Sequence, residues 1–218
     1  MKLKQVRSTK EEFQVHNYDK KIIGVHRLIE KDLMPENVSL IKIYDNEMVG
    51  LSLAKATRLK NLQIILNLSR LVGKDWKSVT REDIEVLVRK IVEIYASDSG
   101  QETNSSWDHK KILKIFFRWI KLGSREYRVV GDPPETKTVR LKKVKDKIIR
   151  EDLISDEDIE RLLKACGENS RDRALIASHY EAGTRPGEIL SLRLKHVKFD
   201  EHGAILIELH NHEDTSLW

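Results

Sequence analysis

The chain has 218 residues, a net charge of +5, 39% hydrophobic and 34% charged residues, and only 6% aromatics. That composition supports a buried core in one large or two modest domains and fits a helix-rich protein, and no apolar run approaches the roughly 18 residues of a membrane span. The basic N-terminus lacks a signal-peptide core and the single Cys166 excludes an internal disulfide framework, so a cytoplasmic setting is expected.

Residues 1–34 read as a polar, basic N-terminal extension, with one short candidate helix over Lys20–Lys31 that carries Ile22, Ile23, Val25, Leu28 and Ile29. Pro35 suits the first turn of a new helix, and the spacing of Val38, Ile41, Ile43, Tyr44 and Met48 predicts a second one, ended at Gly50. A third is expected from about Ser52 to Val72, with Leu59, Leu62, Ile65, Leu66 and Leu68 inward and Gly73 as its stop. Lys55, Arg58 and Lys60 crowd its first half, where positive charge opposes the helix dipole and phosphate contacts would offset the cost.

Thr80-Arg81-Glu82-Asp83 has the form of a capping box and opens a helix to about Tyr95, with Ile84, Val86, Leu87, Ile91 and Val92 inward. Ser105 and Asp108 read as the opening of the next helix, which continues to about Leu122 on a stripe of Ile112, Leu113, Phe116, Phe117 and Ile120. Lys110, Lys114, Arg118 and Lys121 line its other side at helical spacing. Residues 35–123 are therefore expected to form a compact four-helix bundle. Its recurring basic faces are either simply solvated or meet phosphate.

Residues 124–151 read as a basic interdomain linker. Gly131-Asp132-Pro133-Pro134 breaks regular structure. Lys137, Arg140, Lys142, Lys143, Lys145, Lys147 and Arg150 then face Asp146 alone, and such a tether suits a phosphate backbone. In the last part, 152–218, Ser155 and Asp158 cap another helix with Ile159, Leu162 and Leu163 inward, and Gly167 stops it. Arg173–Tyr180 and Glu188–Leu194 read as two more helices. Gly183 supplies a left-handed cap between them, and Pro186 lies near the start of the second. Arg185 would stand at that helix mouth, either as a phosphate contact or as a local cap. A turn at Phe199–Gly203 and a strand over Ala204–Leu209 follow. No Lys or Arg follows Lys198, whereas Asp200, Glu201, Glu208, Glu213 and Asp214 do, so the chain before this tail carries +10.

A helical bundle, a basic linker, Leu153-Ile154-Ser155-Asp156-Glu157-Asp158-Ile159 and then Gly183-Thr184-Arg185-Pro186-Gly187-Glu188-Ile189-Leu190-Ser191-Leu192-Arg193 together resemble the tyrosine recombinases, or phage-integrase family, in particular prokaryotic integrases and Xer-like enzymes. The resemblance covers roughly 37–209 and implies a mainly α fold. That fold comprises a four-helix core-binding (SAM-like) bundle, a basic linker and the N-terminal part of an α+β catalytic domain, with bundle and catalytic domain as the halves of a DNA clamp. It also implies that Arg185 holds the scissile phosphate and that Glu188 supports it, in site-specific DNA recombination and integration through a phosphotyrosine, without metal or other cofactor. Such chemistry needs positioned positive charge above all.

Other members of that catalytic set are missing from these 218 residues. None of the eight histidines has Arg three residues later, and no lysine follows Lys198 on the hairpin where the family carries one. Tyr180 precedes Arg185 and does not match the nucleophile. The expectation is a catalytic domain truncated within its sheet, with duplex DNA as partner and Lys55, Arg58, Lys60, Lys110, Lys114, Arg118, Lys137, Arg140, Lys142, Lys143 and Lys145 as its contacts. The strand at 204–209 would then lack sheet partners and favour self-association, or pairing with an intact recombinase. The competing readings are a non-catalytic regulator and a helical protein-interaction module. His202, His210, His212 and Glu213 read as a polar tail rather than a metal site, and Cys166 as a small buried residue.

Overall fold

The computed structural model describes residues 16–97, 101–142, 153–201 and 203–206. These fall into two compact units, one within Tyr18–Asp146 and the other including 153–206. Lys143, Lys145, Lys147, Arg150, His202, His210, His212, Glu213 and the expected strand residues 207–209 lie outside the described residues. Among the described residues the chain is mainly helical, and no helix is long and apolar enough to cross a membrane.

The first unit is built around α3 (Lys55–Val72), whose buried residues Leu59, Leu62, Ile64, Ile65, Leu66 and Leu68 point in too many directions for a one-faced surface helix. Such a helix has to be surrounded. It packs against α1 (Tyr18–Asp32), α2 (Pro35–Gly50), α4 (Arg81–Tyr95) and α5 (Asn104–Leu122). Gly73 ends it at φ +66, a left-handed turn that a Cβ would strain. Ile22, Val25 and Ile29 of α1 are buried in the same core. Residues that read as an extension thus contribute to it, because one face of α1 repeats apolar groups every three or four positions.

α2 starts on Pro35 and buries Leu40, Ile41, Tyr44 and Met48. α4 is capped as its sequence indicates: Thr80 Oγ1 accepts from the Asp83 N–H, and the Asp83 carboxylate accepts from the Thr80 N–H. α5 corrects the expected start at Ser105. Its cap is Thr103, whose hydroxyl accepts from the Ser106 N–H while the Ser106 hydroxyl accepts from the Thr103 N–H. A hydroxyl at the third position closes this capping box as an acidic side chain would, but it leaves a fainter pattern in the sequence.

Trp76, in a 3-10 turn at Trp76–Ser78, is fully buried and stands edge-on to Phe116 at 5.3 Å between centroids. Its indole N–H donates to Ser69 Oγ at 2.7 Å, and its backbone N–H donates to Asn37 Oδ1 at 3.0 Å. This is how a buried indole satisfies its polar edge.

The second unit holds α7 (Asp156–Ala165), α8 (Ser170–Ala182), α9 (Pro186–Leu190) and a hairpin of β1 (Val197–Asp200) and β2 (Gly203–Leu206), paired antiparallel with Val197 opposite Leu206. Two expectations are corrected here. β2 has a partner, because Val197–Asp200 extends and takes in Phe199 and Asp200, which read as turn. The helix after Gly183 begins at Pro186 and stops at Leu190 instead of spanning Glu188–Leu194. Cys166 caps α7 and is half-buried.

Leu62 is completely enclosed in α3. Leu62→Ala should cost about 2–5 kcal/mol in urea denaturation followed by tryptophan fluorescence. A loss below about 1 kcal/mol would contradict a core centred on α3.

Candidate nucleic-acid interface

α5 carries Lys110, Lys114 and Arg118 at successive helical turns, and all three turn out to be internal. Their side chains are 11%, 13% and 7% exposed. This corrects the expectation of an open basic face, solvated or in contact with DNA phosphate, at these three residues. The cover comes from α6 (Tyr127–Val130) and the strap that follows it, residues 131–142. Asp132 receives Lys114 Nζ at 2.8 Å and the Arg118 guanidinium at 2.5 and 3.1 Å. Arg118 also donates to the Arg125 carbonyl at 2.6 Å and lies over the Tyr127 ring, and Lys114 donates to the Val139 carbonyl at 3.1 Å. Lys110 Nζ stands 2.8 Å from Glu102 Oε1, whose other oxygen accepts the Lys142 N–H at 3.2 Å.

The strap has an inner and an outer side. Pro133, Thr136 and Val139 are buried, whereas Lys137, Arg140 and Lys142 are exposed. Turn hydrogen bonds from the Thr136 and Lys137 N–H groups to the Pro133 carbonyl, and from the Val139 N–H to Thr136, fix this alternation. Residues 124–142, read as part of a basic interdomain linker, therefore belong to the helical unit. The physical reason is charge. Cations on an enclosed face are tolerated only with a carboxylate against them, and Asp132 supplies it.

The basic residues at the start of α3 are also engaged. Arg58 grips Asp45 with two hydrogen bonds of 3.0 Å, and His26 Nε2 lies 2.9 Å from the same carboxylate, tying α1, α2 and α3 together. Lys55 pairs with Asp19 at 2.8 Å and Lys60 with Asp108 at 2.7 Å. The Lys55 and Lys60 side chains remain about half exposed, where such pairs exchange readily. The sequence does not reveal Asp19, Asp45, Glu102, Asp108 and Asp132 as the partners of these cations. A signal existed for one of them: Asp132 is the acid directly before Pro133-Pro134, at the bend that returns the chain to α5.

In the second unit Gly183 ends α8 at φ +58, its N–H bonded to the His179 carbonyl. Arg185 follows as the residue just before α9, exposed, with its backbone N–H donating to Glu188 Oε2 at 2.8 Å. The sequence motif thus brings Arg185 and Glu188 together. α9 is only five residues long, so its dipole adds little and the guanidinium itself is the cationic feature there. The Tyr180 hydroxyl donates to Asp156, and that carboxylate pushes the phenol pKa up, away from a reactive phenolate. Among the described residues no group of three or more His, Cys, Asp or Glu is placed to hold a metal ion.

Compared with known proteins, the chain is similar to tyrosine recombinase XerC of Lactobacillus delbrueckii subsp. bulgaricus and of Lactobacillus leichmannii, at 26% identity over 145 residues in each case. The match takes in 64% of this chain and 44% of each relative, so it spans less than half the length of the relatives. No family model matches the chain. No solved structure matches it. The similarity supports the relationship to tyrosine recombinases drawn from the Arg185 motif.

Burial alone would raise the Asp132 carboxyl, but the hydrogen bonds and charges of Lys114 and Arg118 outweigh it and hold the group below the usual carboxylate range. A carboxyl depressed in the folded state stabilises the fold above its unfolded pKa and loses that contribution as pH falls through the folded value. The stability gap between the wild-type chain and Asp132→Asn should therefore be full above about pH 5 and close progressively below about pH 4. A gap that stays constant down to about pH 2 would contradict the clamp.

Proposed function

We propose that this chain is a duplex-DNA-binding relative of the tyrosine recombinases that, by itself, holds DNA without cutting it. The observation that carries this reading is the outward row Lys137, Arg140 and Lys142, presented on a fixed strap and continued in sequence by Lys143 and Lys145. Lys55 and Lys60 add half-exposed cations, which phosphate can draw from their ion pairs with Asp19 and Asp108. Arg58, Lys110, Lys114 and Arg118 act in this reading by building the scaffold. Arg185 would meet a phosphate, neutralising charge on its non-bridging oxygens as phosphoryl transfer requires, with Glu188 fixing the backbone of that turn. Cleavage would need groups beyond these 218 residues, since they contain no His-x-x-Arg pair.

Gel-shift titrations with duplex DNA should show binding at low salt that weakens steeply as salt rises. No shift at low salt would remove the nucleic-acid role. Arg185→Ala should weaken binding only slightly, as one contact among many, and a nicked duplex that traps phosphotyrosine should give no covalent adduct. An adduct would overturn the non-cutting reading.

A second reading, association with another recombinase chain or with a second copy, is favoured by exposed apolar residues between 153 and 199. Leu194 is 94% exposed and Phe199 81%, while Leu153, Ile154 and Leu190 are also exposed. Sedimentation velocity should show concentration-dependent association that Leu194→Ser with Phe199→Ser abolishes. A wild-type chain that stays monomeric across the concentration range would exclude self-association.

A further inference from the structure

The strap at 131–142 is pinned at both ends to the same helix. Asp132 is held by Lys114 and Arg118, and the Lys142 N–H by Glu102, which sits before α5 and pairs with Lys110. Between these points the buried Val139 and the Lys114 bond to its carbonyl keep the strap against α5. The strap therefore runs back along α5 towards its N-terminal end. It turns Asp132 inward and three cations outward, while its second acid, Glu135, faces Lys121 of the same helix. A loose tether would instead let Lys137, Arg140 and Lys142 sample many directions and lose entropy on each contact.

We infer that Asp132 is a positioning residue for nucleic-acid binding: by locking the strap onto α5 it aligns Lys137, Arg140 and Lys142 as one phosphate-contacting row. This rests on the proposed DNA-binding function. It goes beyond that function by giving an acidic residue, which repels phosphate, a favourable part in binding it. The enclosure of Lys114 and Arg118 favours this over a mask in which Asp132 withholds those cations from DNA. Lys114 reaches the Val139 carbonyl and Arg118 lies over the Tyr127 ring, so the two form a built joint with little of either cation left in solvent.

The test exploits a conflict of sign. Asp132→Asn removes a negative charge, so electrostatics alone predicts tighter binding. Positioning predicts weaker binding, by about tenfold or more, together with a shallower salt dependence. The slope of log affinity against log salt should fall by about 0.9 for each phosphate that the row no longer neutralises. Asp132→Glu, which keeps the charge, should restore much of both.

Val139→Ala changes no charge and lies outside every helix, so it decides the matter if Asp132→Asn does not fold. It should weaken binding and flatten the slope in the same direction, with faster amide exchange across the strap. Equal or tighter binding by folded Asp132→Asn, or an unchanged slope in Val139→Ala despite faster strap exchange, would overturn the inference. Failure of the wild-type chain itself to bind at low salt would instead remove the DNA-binding reading on which the inference stands.

Discussion

Lys114 and Arg118 leave α5 one turn apart and meet on the carboxylate of Asp132. Much of the first unit's outer layer follows from that contact. Two cations on an enclosed helix face demand a counter-charge, and the chain supplies it by folding residues 131–142 back over the helix. Removing one partner of such an arrangement leaves a charge stranded, typically at a cost of about 3–5 kcal/mol. The same fold-back gives the strap an outer surface, on which Lys137, Arg140 and Lys142 are exposed. The basic character that the sequence locates on α5 is thus displaced by one layer.

The two units reach very different degrees of closure. In the first, α3 is surrounded and Trp76, Tyr44, Phe116 and Phe117 fill the interior with edge-on ring contacts. In the second, Ile159 and Ile189 are the buried apolar residues among those described, while Leu194 and Phe199 lie open. A two-stranded hairpin is marginal without a further strand or a covering helix. Among its described residues the unit leaves Arg185, Leu194 and Phe199 exposed, the features on which the proposed contacts with phosphate and with another chain rest.

The backbone of this fold was largely legible in the sequence. Periodic apolar residues located all the long helices of the first unit, Gly73 and Gly183 marked turns that require positive φ, and Thr80 and Ser155 announced their caps. Pattern failed where pairing over distance decides structure. Lys110, Lys114 and Arg118 read as an exposed basic stripe, open to solvent or phosphate, until Asp132 and Glu102 are brought against them, and helical periodicity contains no information about those partners. β2 likewise gained its partner from Val197–Asp200, four residues whose pattern is too short to read as a strand. At the candidate site, Arg185 and Glu188 were legible as a local motif. The scaffold role of Arg58 depends on Asp45 of a different helix, and so required the fold.

Lysine reactivity towards an acetylating reagent, read by mass spectrometry with and without duplex DNA, tests the displaced basic layer most directly. Lys137 and Lys142 should react readily in the free chain and be protected by DNA, while Lys110 and Lys114 should react slowly in both states. Rapid modification of Lys110 and Lys114 in the free chain, suppressed by duplex, would contradict a basic layer carried by the strap.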